Sequence, residues 1–168
     1  MGNALSGSPQ YDCAGAYICE TDTAEQRWMG EICTRFLATA DSTGGQFCVV
    51  DETAAQGETV PLHRHVQDVE SFYVIAGKIT FFIGAAPGVT AGAHSFVHVP
   101  GGTVHGFRIA SDTARYLIFT TARHGEFYRA ISQPAAPGLP AHPEVDWDRV
   151  MAAAREFGVE LVGELPAA

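Results

Sequence analysis

Lysine is nearly missing from this chain of 168 residues: Lys78 stands alone, and arginine supplies the rest of the 10 basic residues, against 19 acidic ones. A net charge of −9 leaves no basic face to displace counterions from phosphates, which argues against nucleic acid as a partner. No apolar run approaches the roughly 20 residues of a membrane helix, so a membrane-spanning helix is not expected. The first basic residue is Arg27, and no continuous apolar stretch follows Met1, so nothing reads as a secretion leader and a cytoplasmic location is expected. The opening Met1–Ser6 fits the short N-myristoylation pattern, but an unmodified start is the expectation. None of the four cysteines, Cys13, Cys19, Cys33 and Cys48, forms a C-x-x-C pair. Cys33 and Cys48 lie in apolar runs and read as small buried hydrophobes.

What is present is enough for one domain with its own core: 46% hydrophobic and 17% charged residues. Residues 1–25 read as an N-terminal arm, with one short strand around Ala16–Cys19. From 26 to 132, short apolar runs alternate with turn residues. They include Trp28–Ala38, Gln46–Val50, Ser71–Ile75, Lys78–Ile83, Ser95–Val99, Val104–Ile109 and Ala114–Thr121. Their separators are Ser42–Gly45, Ala76-Gly77, Pro87-Gly88 and Pro100–Gly102. Such spacing indicates an all-β sandwich or barrel. Gly125–Ile131 fits a short helix. Residues 133–168 read as a Pro-rich connector and a C-terminal helix, capped by Asp146 and stopped at Gly158. Val150, Met151, Ala154 and Phe157 recur at helical spacing and are expected to pack on the barrel wall.

The chemistry concentrates in Gly57–Gly77. His63 and His65, two apart on a strand, share a face. Glu70 sits at an odd offset and joins them only if the chain bends between Val66 and Val69. Glu70, Phe72 and Val74 then share the inward face, where an unpaired charge is costly. A second segment turns at Pro100–Gly102 and begins a strand at His105, with Phe107 and Ile109 on its side. If the two segments face each other, three imidazoles and a carboxylate converge. That set suits one divalent transition ion: Fe, Mn, Co, Ni, Cu or Zn. The bland readings are surface histidines on a strand for His63 and His65, and a solvent-facing carboxylate for Glu70. His98 reads as an exposed strand histidine, and His124 and His142 as loop residues without a role. Phe72, Phe81, Phe107 and Phe119 read first as core. Phe72 and Phe107 are the pocket candidates, because each follows a ligand by two residues.

These residues resemble the cupin superfamily. Its first motif, G-x(5)-H-x-H-x(4)-E-x(6)-G, is matched by Gly57, His63, His65, Glu70 and Gly77. Its second, G-x(5)-P-x-G-x(2)-H-x(3)-N, is matched at Pro100, Gly102 and His105. Ile109 replaces its final Asn, and Gly92 precedes Pro100 by too many residues to be its first Gly. The run Glu70-Ser71-Phe72-Tyr73-Val74 and the tail Phe157–Leu161 are similar to those of single-domain quercetinase-like cupins. The resemblance implies a double-stranded β-helix with His63, His65, Glu70 and His105 as metal ligands. It also implies a metal-dependent dioxygenase that opens a flavonol or related aromatic with O2, with Glu70 as proton acceptor. Isomerases, cyclases, decarboxylases and non-catalytic binding proteins share the scaffold, so those readings stay open. Tyr73 points away from the pocket, toward a sheet or dimer interface. A homodimer through uncovered strand edges is expected.

Overall fold

A computed structural model describes residues 15–135 and 144–167. Cys13, His142, Met1–Ser6 and most of the Pro-rich connector lie outside the described residues. The expected strand at Ala16–Cys19 is absent, residues 16–19 being irregular, and a 3-10 turn follows at Thr21–Thr23. The run Trp28–Ala38 divides at Gly30 into a hairpin, β1 (Glu25–Met29) and β2 (Ile32–Ala38). A one-turn helix, α1 (Ala40–Thr43), follows, capped by Thr39. Then come β3 (Cys48–Ala55), β4 (Thr59–His65), β5 (Glu70–Ala76), β6 (Lys78–Ile83), β7 (Val89–Gly92), β8 (Phe96–Val99), β9 (His105–Ile109) and β10 (Thr113–Thr120). Helix α2 (Ala122–Ile131), a short strand β11 (Gln133–Pro134), helix α3 (Trp147–Phe157) and β12 (Val159–Gly163) complete the chain.

The strands form two antiparallel sheets, ordered β11-β1-β2-β3-β10-β5-β8 and β12-β4-β9-β6-β7. Alternation along each strand sends one set of side chains into the space between them. Val50, Phe72, Val74, Ile79, Ile109, Tyr116 and Ile118 fill it and are almost wholly buried. Cys33 and Cys48 are buried free thiols, as expected, and burial pushes Cys48 up to about 12. Phe81 lies in the core, but Phe119 is 41% exposed on the outer face of β10.

Two turn positions carry a backbone argument. Gly77 has φ +79, and a Cβ there would run into the Thr113 carbonyl, so glycine is required on both counts. The motif position six before Pro100 is His94, which adopts φ +68 where the family pattern has glycine. Its ring Nδ1 lies 3.2 Å from the Tyr73 hydroxyl.

Helix α3 begins at Asp146, whose side chain accepts from the Arg149 amide at 3.0 Å, and ends at left-handed Gly158. Its apolar face is Val150, Ala153 and Ala154, which pack on Phe127 and Ile131 of α2. The helix sits on α2 in a cluster that also takes in Val159 of β12 and Met29 of β1, and Met151 is exposed. Helix α2 in turn lies close on β3: a Cβ on Gly125 would meet Cys48 Sγ at 2.5 Å. No helix among the described residues is long and apolar enough to cross a membrane.

Candidate metal centre

His63 and His65 end β4, Glu70 begins β5, and His105 begins β9. Strands β4 and β9 belong to one sheet and β5 to the other, so the cluster bridges the barrel interior. His63 and His105 are direct cross-strand partners. The bend at residues 66–69 corrects the odd offset of Glu70. Asp68, buried at its tip, accepts from Thr121 Oγ1 at 2.5 Å and Arg123 Nη1 at 3.1 Å. The His65 carbonyl accepts from the Gly102 amide at 2.7 Å, which joins this bend to the Pro100–Gly102 turn.

All four side chains are buried, and their donor atoms lie within 4.8 Å of one another. His105 Nε2 is 2.9 Å and His65 Nε2 3.8 Å from Glu70 Oε2. A carbonyl can only accept, so the contact of His63 Nδ1 with Pro61 O at 2.8 Å fixes Nδ1 as the protonated nitrogen. His105 Nδ1 is fixed likewise by Thr103 O at 2.9 Å. Both rings thus present Nε2 to the cluster, the orientation a metal ligand needs.

Burial lowers His63 to about 4 and His65 to about 3, so both are neutral donors well below neutral pH. Burial also opposes charge on Glu70, but His65, His105 and His124 outweigh it and hold the carboxyl well below its usual range. Burial would lower His105 too, yet its bond to Glu70 raises it above the ordinary histidine value. Once His105 gives up its proton, three neutral imidazoles around an ionised carboxylate are the donor set of a borderline divalent ion, so these residues can hold one.

Helix α2 adds two groups that sequence reasoning did not place here. The Tyr128 hydroxyl donates to Glu70 Oε1. His124, expected in a loop without a role, is buried in α2, with Nε2 3.4 Å from Glu70 Oε1. Its ring stacks between His65 at 4.0 Å and Phe127 at 5.1 Å, and Nδ1 has no hydrogen-bond partner among the described residues. The i, i+4 spacing of His124 and Tyr128 was the available signal.

A cavity of about 70 Å³ opens beside His63 and Glu70. Its walls are mostly apolar, with Met29, Ile32, Val60, Phe107, Ile118 and Phe127, and Thr34, Glu52 and Tyr128 among its polar groups. Phe107 is on this wall. Phe72 is fully buried and packs edge-on against Phe81 and Phe107 in the core instead. A second cavity of about 90 Å³ shares Met29, Ile32, Val60, His63, Phe127 and Ile131 and continues to Trp147 and Leu161. His98 is exposed and pairs with Ser71 Oγ at 2.8 Å.

Residues 50–120 match the cupin domain family. Over 143 residues, 83% of this chain, the sequence is 26% identical to a quercetin 2,3-dioxygenase of Bacillus subtilis strain 168. The match spans 42% of that relative's length. Among solved structures, the polyketide cyclase RemF from Streptomyces resistomycificus superposes with a TM-score of 0.57 at 17% identity, over 76% of this chain and 89% of that one. A predicted oxalate decarboxylase from Thermotoga maritima gives a TM-score of 0.57 at 16% identity, over 63% of this chain and 98% of that one. At such identities these two likenesses concern the fold, which is the double-stranded β-helix. Residues 50–120 thus resemble the cupin domain family, and the chain is similar over most of its length to a quercetin 2,3-dioxygenase.

Proposed function

We propose that the protein is a metal-dependent dioxygenase that opens a flavonol or a related enolisable aromatic compound with O2. The observation that carries this reading is the buried His63–His65–Glu70–His105 cluster at the head of an apolar cavity. The similarity to a quercetin 2,3-dioxygenase supports it. His63, His65, Glu70 and His105 would hold a divalent ion, which when bound would supply Lewis acidity toward a substrate hydroxyl oxygen. Glu70, ionised at neutral pH, is the acceptor for that hydroxyl's proton. Tyr128 and His124 hold the carboxylate from its Oε1 side and fix its orientation. Phe107, Ile118 and Val60 keep water from the reacting atoms.

The cavity size favours a second reading. The inner cavity is about 70 Å³, below the roughly 300–1,000 Å³ of most ligand sites, and suits a compact oxo-compound. A flavonol would extend into the adjoining cavity toward Trp147. In the second reading the enzyme is an isomerase, cyclase or decarboxylase that needs no O2. Protein reconstituted with each candidate ion is to be assayed for oxygen uptake on a flavonol panel. Uptake matched to flavonol loss is expected. Flavonol-independent turnover of small oxo-acids without uptake would establish the second reading. We also propose a cytoplasmic homodimer joined through the open edges at β7 and β8, where Val89 and Phe96 are exposed. Sedimentation of a Phe96→Asp variant as a monomer would support that interface.

A further inference from the structure

Glu52 is a buried carboxyl that the metal site does not use. It lies on β3, with Thr34 of β2 and Tyr116 of β10 as its direct cross-strand partners. The three form one polar row across the inner face of the larger sheet. Glu70 belongs to another row, opposite Thr120, which is opposite Cys48. The rows are a four-residue step apart along β3, Cys48 to Glu52, roughly 13 Å along the strand. The two carboxyl groups nevertheless line the same cavity, at two levels of the barrel.

Glu52 is the member of this row that reaches the cavity together with Thr34. Thr34 Oγ1 donates to Glu52 Oε1 at 2.7 Å, and the fully buried Tyr116 hydroxyl faces the same carboxyl. A buried carboxyl on a cavity wall, held by one threonine hydroxyl, has hydrogen-bonding capacity left for an oxygen function from outside the chain. We infer that Glu52 is a specificity-determining residue that hydrogen-bonds a second oxygen function of the substrate, remote from the oxygen at the metal site. The substrate is then an aromatic compound bearing two separated hydroxyl or keto groups. This rests on the proposed function of the metal site as the substrate site.

Burial pushes Glu52 up to about 7, against the Thr34 hydrogen bond and the adjacent Tyr116 hydroxyl, with Glu70 and Asp51 adding to the rise. The groups facing it are Asp51 on its own strand, Cys33 on β2, Glu70 on β5, Tyr116 on β10 and Tyr128 on α2. Near neutral pH it therefore exchanges between a donor, which suits a keto oxygen, and an acceptor, which suits a hydroxyl.

The test titrates metal-loaded wild type, Glu52→Gln and Glu52→Leu with two probes, quercetin and 3-hydroxyflavone. The probes share the chelating unit, and only quercetin carries further hydroxyls. Metal content is expected to be equal in the three proteins. Glu52→Leu is expected to lose about tenfold or more in quercetin affinity and little for 3-hydroxyflavone. Glu52→Gln should retain quercetin binding but lose a pH dependence centred near neutrality. Wild-type quercetin affinity in Glu52→Leu, with metal retained, would overturn this inference and leave the metal site intact. Failure of metal-loaded wild type to bind either probe would instead overturn the flavonol reading and this substrate class with it.

Discussion

Glu52 also makes a prediction about stability that needs no substrate. Its carboxyl is wholly buried in the folded chain and pushed up to about 7, against 4.5 for an ordinary glutamate. Between those values the folded state binds a proton that the unfolded state has lost. Stability is therefore fully present below pH 4.5 and falls as the pH rises through about 7. At 1.36 kcal/mol per pKa unit, the loss is on the order of 3 kcal/mol once the pH exceeds both values. For a chain of this length that corresponds to about 6–12 °C in Tm. Glu52→Gln keeps the shape and cannot ionise, so its stability lacks this component. Thermal unfolding of chelator-treated wild type and variant is the assay, at pH 5 and pH 8. The gap between them should shift by most of that amount in favour of the variant as the pH rises. Parallel pH profiles would refute the reasoning, because they would mean that Glu52 is already ionised at pH 5 or is equally protonated in both states.

Tyr128→Phe removes the hydroxyl that holds Glu70 Oε1 and leaves the ring in place. Its metal affinity, read by competition with a chromogenic chelator, should fall about 10–100-fold with the fold intact. Gly125→Ala places a methyl 2.5 Å from Cys48 Sγ and levers α2 off β3. It should cost about 1–3 kcal/mol in denaturant unfolding and also weaken metal binding, because α2 carries His124 and Tyr128. In metal-free protein, His105 is raised above the ordinary histidine value by Glu70. Metal uptake must displace that proton, so uptake releases protons to a dye indicator, and affinity weakens as the pH falls below the raised value.

The four clustered side chains were legible because strand parity and one bend dictate them. His63 and His65 share a face by their two-residue step, and the segment at 66–69 was the only place where the chain could turn Glu70 inward. The structure adds why the bend holds: Asp68 is tied to Thr121 and Arg123, more than 50 residues away, a partnership that no local pattern announces. The hairpin at Gly30 was hidden because Trp28–Ala38 is apolar on both sides of it. Glu52 could have been found. Parity places it inward with Val50 and Ala54, but the charged pair Asp51-Glu52 made the apolar run seem to end at Val50. His124 and Tyr128 were missed for a different reason. Their helix was legible, but which wall it covers is decided by packing of Gly125 on Cys48 and of α3 on its outer face. The same packing explains why α3 rests on α2 and leaves Met151 in solvent.

The central claim is that His63, His65, Glu70 and His105 hold one metal ion. Elemental analysis of untagged, gel-filtered protein, as isolated and after reconstitution with each candidate ion, tests it most directly when run beside His105→Ala. The account predicts close to one equivalent of a divalent transition ion per chain in the wild type, and a large loss in a variant that remains folded by circular dichroism. No metal in the wild type under any reconstitution, or full retention in the folded variant, would contradict it.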